Sequence, residues 1–298
     1  MFTGCGTALV TPFKNDLSLD ESTLRRLVRR QIDAGIDFLV PCGTTGESPT
    51  LAHAEHLRVV EIALEEAGGK VPVVAGAGGN DTAKVIHLAK ELEAMGVSGL
   101  LSVTPYYNKP TQEGLYQHYK AIASAVRLPI IVYSVQGRTG INVEPATLKR
   151  LAAIDNIAGV KEASGNITQI SAIINQVPDR FSVLSGDDAA TIPVIALGGK
   201  GLISTSSNEI PAEMARIVHL CRANDFPAAR AIHHKYLPLM DVNFVESNPI
   251  PVKAAMGLMG LIEPVWRLPM VPPSPANLSK IEKVLRDLAL LEPVHAAN

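Results

Sequence analysis

Ile157-Ala158-Gly159-Val160-Lys161-Glu162 is a brief apolar run that ends in a lysine. A stretch this short and this rich in Val and Ile reads as a strand buried on both faces, which is the habit of parallel sheets. Comparable runs occur at Cys5 to Leu9, Asp37 to Cys42, Val71 to Ala75, Gly99 to Val103, Ile130 to Tyr133, Phe181 to Leu184 and Gly201 to Ser204. Helix-like segments separate them. Between the first two runs, Leu24, Leu27, Val28 and Ile32 recur at helical spacing opposite Arg25, Arg26, Arg29 and Arg30, and Gly35 supplies a stop. Thr82 to Met95 repeats the design, with Val85, Ile86, Leu88, Ala89 and Leu92 inward and Gly96 closing the helix. Each crossover is long enough to bring the next strand back parallel to the last, and eight such units close a barrel. The expected fold is α/β, a (β/α)8 TIM barrel over residues 1–223. A doubly wound open sheet would usually carry a glycine-rich dinucleotide turn after its first strand, where this chain reads Val10-Thr11-Pro12-Phe13. From Asn224 the strand pattern stops. Segments rich in Ala, Leu and Met, punctuated by Pro227, Pro238, Pro251 and Pro269, predict a small C-terminal helical region, 224–298, packed on the barrel without a linker.

The chain has 298 residues, 47% hydrophobic and 19% charged, which excludes a disordered or fibrous class. Its 27 Lys+Arg and 29 Asp+Glu leave a net charge of -2, with no broad field to capture nucleic acid or an anionic membrane. No run reaches the ~20 apolar residues of a membrane span, and the amino terminus lacks a basic start followed by a long apolar stretch. Cys5, Cys42 and Cys221 show neither metal-ligand spacing nor a disulfide framework, so a reducing cytoplasm and no metal are expected. His53 and His56, three apart on a predicted helix, lack a further ligand nearby in sequence, and His233-His234 read as helix surface. Cys42 reads as a buried apolar thiol.

In a parallel barrel the chemistry sits where strands end at their carboxyl side. After the second run stands Gly43-Thr44-Thr45-Gly46-Glu47-Ser48, with two threonine hydroxyls between glycines and a backbone able to hold a carboxylate. After the fourth comes Thr104-Pro105-Tyr106-Tyr107, conspicuous where aromatics make up only 4% of the chain. The fifth ends in Tyr133, followed by Ser134 to Gly140 with Arg138 between glycines, suited to bidentate capture of an acid. The sixth places Lys161 in phase with Ile157 and Gly159 if the period is two, facing the barrel mouth. An ammonium is poorly solvated there, and the neutral amine that attacks a carbonyl is favoured. A single such lysine is more often paired or reaching out to water. What sets this one apart is that Thr44, Thr45, Tyr107, Tyr133 and Arg138 fall at the same rim.

With these residues the chain resembles the pyruvate-dependent Schiff-base aldolase superfamily, most closely its dihydrodipicolinate synthase family, over essentially its full length. The motifs are Gly43-Thr44-Thr45-Gly46-Glu47-Ser48, Thr104-Pro105-Tyr106-Tyr107-Asn108, Gly137-Arg138-Thr139-Gly140, Gly159-Val160-Lys161-Glu162-Ala163, Ser185-Gly186-Asp187-Asp188 and Asn248-Pro249-Ile250-Pro251-Val252-Lys253. The resemblance implies that Lys161 condenses with pyruvate and that the enamine attacks L-aspartate 4-semialdehyde, a step of diaminopimelate and lysine biosynthesis. It implies a proton relay of Tyr133 and Thr44 completed by Tyr107 of a neighbouring copy, hence a homotetramer built from tight dimers. It assigns Thr45 to the pyruvate carboxylate, Arg138 to the acid end of the semialdehyde, and Gly186 and Ile203 to the pocket wall. No cofactor is implied.

Two departures stand out. Ser134 and Gln136 replace the Asn and Pro that family members usually carry beside the catalytic tyrosine, removing a rigid φ constraint. A sister aldolase acting on N-acetylneuraminate or a keto-deoxy sugar acid therefore stays open, as does a barrel that binds a keto acid without turnover. The second departure concerns the lysine effector site the resemblance implies at Ser48, His53, His56, Asn80, position 84 and Tyr106. Lysine-inhibited members carry an acidic residue at 84, whereas Lys84 here opposes the effector's ammonium with like charge. Little inhibition by L-lysine is predicted in a steady-state assay, and strong inhibition at physiological concentrations would contradict the assignment.

Overall fold

Parallel pairing runs through eight strands in the order β2-β1-β8-β7-β6-β5-β4-β3 in the computed structural model, which describes residues 2–291. The strands are β1 (Gly4–Ala8), β2 (Phe38–Val40), β3 (Val74–Gly76), β4 (Gly99–Val103), β5 (Ile130–Ser134), β6 (Ile157–Glu162), β7 (Ser182–Ser185) and β8 (Gly201–Ser204). The ring closes between β2 and β3, where Leu39 bridges Val73 and donates its N–H to the Pro72 carbonyl at 2.9 Å. The helices are α1 (Glu21–Asp33), α2 (His53–Ala67), α3 (Thr82–Met95), α4 (Gln112–Ala125), α5 (Gln136–Thr139), α6 (Pro145–Leu151), α7 (Ile167–Gln176), α8 (Thr191–Ala196), α9 (Pro211–Arg222), α10 (Phe226–Val242), α11 (Ile250–Leu258) and α12 (Pro275–Asp287). The result is the expected TIM barrel with additional C-terminal helices.

Local chemistry starts the outer helices where the sequence suggests. Asp20 accepts the Thr23 N–H ahead of α1, and Asp81 accepts those of Ala83 and Lys84 ahead of α3, satisfying donors that the first turn leaves orphaned. Gly96 closes α3 at φ +85°, a conformation costly for a residue with a Cβ. Two apolar layers result. Phe38, Val40, Leu101, Ile131, Tyr133, Leu184 and Ile203 fill the barrel interior, while a larger core lies between strands and helices.

Four expectations need correction. Strand β3 begins at Val74 rather than Val71, because Pro72 has no N–H to give a ladder. Ile157 is not in phase with Lys161. Ile130 pairs with Ile157 but Ile131 pairs with Gly159, so Ala158 is an extra residue that turns Ile157 toward the helices. Gly159 and Lys161 keep the interior phase of Ile131 and Tyr133. His233 is buried rather than superficial and lies 3.0 Å from the Ala189 carbonyl; Ala229, Tyr236 and Met240 share its buried face, while His234 is exposed. Pro227 and Pro251 stand in first helical turns, but Pro238 lies inside α10 on its exposed side and ends nothing.

The C-terminal helices reach back into the barrel through one buried ion pair. Lys253 of α11 donates from Nζ to Glu47 Oε1 at 2.5 Å and to the Thr11 carbonyl at 3.1 Å, with both side chains almost wholly buried. Its Nζ also sits 4.4 Å from the Phe13 ring centroid, and the Arg267 guanidinium lies 4.2 Å from the same ring. Burial pulls the Lys253 pKa down, and Glu47 opposes that pull. Breaking such a pair from one side costs about 3–5 kcal/mol because the remaining charge stays buried. Lys253→Met is therefore expected to lower the urea midpoint by a corresponding amount, and an unchanged midpoint would show that the pair does not hold the helices to the barrel.

Candidate active site

The ladder sets Lys161 between Tyr133 on β5 and Leu184 on β7, all three at one level of the barrel. Lys161 is 5% exposed, and its Nζ lies 4.4 Å from the Tyr133 ring centroid. Among the described residues no carboxylate pairs with it. The neighbouring Glu162 points the other way, accepting from Gln169 Nε2 at 2.8 Å and the Ser164 N–H at 3.1 Å. The lysine is thus neither paired nor extended into solvent. Gly186 explains how its stem fits: a Cβ at 186 would stand 3.1 Å from Lys161 Cε and 2.7 Å from Ala163 Cβ. A cavity of about 600 Å³ opens above the amine, lined by Thr45, Tyr133, Arg138, Lys161 and Gly186 among others.

Backbone geometry shapes the loop after β2. Cys42 and Glu47 adopt positive φ, and Gly76 passes so close that a Cβ there would meet the Cys42 carbonyl oxygen at 1.9 Å. Within the loop, Glu47 N–H donates to the Thr44 carbonyl at 3.1 Å, and Thr11 Oγ1 donates to the Gly46 carbonyl at 2.7 Å. Among the described residues the N–H groups of Thr44 and Thr45 have no protein acceptor. Two adjacent free N–H groups at the mouth of the barrel suit a carboxylate. Thr45 is 2% exposed, and its Oγ1 accepts from Asn248 Nδ2 at 2.9 Å.

A second cavity, of about 520 Å³, adjoins the first; Tyr133, Arg138 and Asn248 line both. Thr44, Ser48, His56 and Tyr106 face this second space. Arg138 stands on the exposed side of α5 without an ion pair among the described residues. Tyr107 is 89% exposed at φ +71° and lines neither cavity. Ile203 belongs to the interior layer and is on neither cavity wall. The residues of the implied effector site divide. Ser48, His56 and Tyr106 come together on the second cavity, and Asn80 reaches the Tyr106 carbonyl at 3.3 Å. His53 turns instead to Glu91, while Lys84 is exposed. His56 is buried, 2.9 Å from the Gly76 carbonyl, and burial lowers its pKa. Cys42 is a buried thiol whose pKa burial raises.

Sequence reasoning missed the C-terminal contribution to this site. Phe244, Ser247 and Asn248 line the first cavity, and Asn248 holds Thr45 directly. The Asn248-Pro249-Ile250-Pro251-Val252-Lys253 motif was the available signal. Ser134 and Gln136, the two departures, lie differently: Ser134 is buried and accepts the Val143 N–H at 3.2 Å, while Gln136 is exposed at the start of α5.

An amine unpaired among the described residues, at the carboxyl end of a barrel strand, beside a phenol and below a cavity fronted by free N–H groups, defines a lyase of the Schiff-base aldolase class. The chain matches the model of the dihydrodipicolinate synthetase family over residues 1–288. It is 54% identical over 290 residues to the 4-hydroxy-tetrahydrodipicolinate synthase of Koribacter versatilis, covering 97% of each chain. It is 52% identical to that of Chloroherpeton thalassium, covering 97% of this chain and 96% of the relative. Among solved structures, the dihydrodipicolinate synthase of Thermotoga maritima superposes with a TM-score of 0.95 at 47% identity, covering 98% of this chain and all of that one. The chain belongs to the dihydrodipicolinate synthetase family.

Proposed function

We propose that the protein condenses pyruvate with L-aspartate 4-semialdehyde to give 4-hydroxy-tetrahydrodipicolinate, a step toward diaminopimelate and lysine. The observation that carries this is the buried Lys161 amine, without a carboxylate partner among the described residues, facing a cavity large enough for both substrates. The pyruvate carboxylate lies on the Thr44 and Thr45 N–H groups, which brings the ketone carbon to Lys161. The amine adds to that carbon, the ketone oxygen leaves as water, and an imine forms. Loss of a proton from the methyl carbon gives the enamine, whose carbon attacks the semialdehyde's aldehyde and converts its oxygen to a hydroxyl. The substrate's own amine then displaces Lys161, closing the ring and restoring the enzyme.

Each of these steps moves protons, and hydroxyl groups can carry them. Tyr133 is beneath the amine and Thr44 is on the adjoining cavity, which supports their assignment as a relay. Tyr107, exposed and away from its own chain's cavities, is assigned to the relay of a neighbouring copy in a homotetramer of tight dimers. Arg138 receives the semialdehyde's carboxylate at the outer rim. Among the described residues no helix is long and apolar enough to cross a membrane. We place the reaction in the cytoplasm.

Reduction with borohydride in the presence of pyruvate is expected to leave one pyruvyl adduct per chain on Lys161 and to abolish turnover, as read by peptide mass spectrometry. Adduct at another lysine, or none, would remove Lys161 from the chemistry. With trapping intact, turnover of N-acetylneuraminate or a keto-deoxy sugar acid in place of the semialdehyde would instead overturn the choice of second substrate. Tyr107→Phe is expected to lower kcat about a hundredfold with the pyruvate KM little changed, the lower end of one acid–base contribution. An unchanged kcat would take Tyr107 out of the relay.

A further inference from the structure

Helix α2 begins at His53, and the neighbouring α3 carries His87 and Glu91 one turn apart. The fold brings these three together. His53 Nε2 lies 3.1 Å from Glu91 Oε1 and 3.0 Å from Oε2, and His87 Nε2 lies 3.7 Å from Oε2. One potential ligand atom from each residue falls within 4.8 Å of the other two. The two imidazoles are close to parallel, with ring centroids 6.0 Å apart and planes at 23°.

Two imidazoles and a carboxylate are the donor set that borderline divalent cations take, whereas Mg²⁺ and Ca²⁺ prefer oxygen alone. Metal–ligand bonds of ~2.0–2.2 Å at tetrahedral to octahedral angles put neighbouring donors roughly 3.0–3.5 Å apart. The Glu91 contacts at 3.0 and 3.7 Å nearly match that spacing before any adjustment. A helical i, i+4 pair fixes two donors on one rigid element, and His53 approaches from a second. Glu91 Oε2 is shielded from solvent and has no hydrogen bond of good geometry, although it is the oxygen nearest both rings. Both rings turn Nε2 toward the one Glu91 carboxylate, and they stack on each other, so the three donors converge on a single point. The side chains of His53 and His87 are 54% and 73% exposed, so a cation has an entry path and water can complete its coordination.

We propose that His53, His87 and Glu91 form a binding site for one borderline divalent cation of the Zn²⁺, Co²⁺ and Ni²⁺ class. The site clips the start of α2 to α3. It is independent of the reaction assigned to Lys161, and it withdraws His53 from the effector cavity. Sequence spacing alone, which considered His53 with His56, could not show it, because His56 points inward to the Gly76 carbonyl.

Zn²⁺ titration of the untagged full chain against a chromophoric chelator, with Co²⁺ absorption as a second readout, tests the proposal. One Zn²⁺ per chain is expected, with His87→Ala and Glu91→Gln each weakening binding at least tenfold and His234→Ala leaving it unchanged. Pyruvate trapping at Lys161 in the same variants confirms that they are folded. The absence of stoichiometric binding in the parent chain, or undiminished binding in folded His87→Ala, would overturn it.

Discussion

An amine buried without a counter-ion among the described residues is the constraint around which the molecule is arranged. Such a group is costly to keep in a protein interior, and the cost falls on its surroundings. β6 carries Lys161 into the mouth of the barrel, Tyr133 puts the face of a ring beneath its Nζ, and Glu162 is turned away onto Gln169 and the Ser164 N–H. Room for the stem comes from Gly186. The nearby carboxylate that could pair with the lysine is thereby kept off it, and its Nζ stays open to the cavity.

A contrasting pair stabilises the loop that faces the amine. Glu47 closes the turn carrying Thr44 and Thr45, and its carboxylate is held by Lys253 from α11. Asn248, a few residues earlier, holds Thr45 itself. Asp188, after β7, fixes the segment after β8 by accepting the Thr205 and Ser206 N–H groups, while burial raises its pKa. One buried lysine is therefore tied to a carboxylate, and the other, among the described residues, is not. The difference is set by which carboxylate the backbone presents to each.

Much of this was legible in the sequence because barrel strands repeat one simple pattern. The bounds of β4, β8 and α3 coincide with the runs read directly from residues 99–103, 201–204 and 82–95. The candidate site residues Thr45, Tyr133, Arg138 and Lys161 could be located because they lie at or just beyond strand ends, Gly186 followed only from the family resemblance, and all five line one cavity. Strict alternation failed at Ile157, where the Ala158 bulge depends on pairing with β5 and has no signature in β6 alone. Helix-surface reading failed at His233, whose burial is decided by a carbonyl distant in sequence. Asn248, Phe244 and Ser247 were not chosen as site residues because nothing local says that the C-terminal helices return to the rim. The meeting of His53 with His87 and Glu91 is likewise a property of packed helices.

The contacts joining Lys253 to Glu47 and Asn248 to Thr45 span 206 and 203 residues of chain. Contacts of such separation can form only after the intervening polypeptide has been made and ordered. During synthesis Lys161 emerges well before residues 248 and 253. A growing chain thus exposes this lysine before the opposite wall of the pocket has been fastened, and the cavity is complete only once residues 248 and 253 have been made.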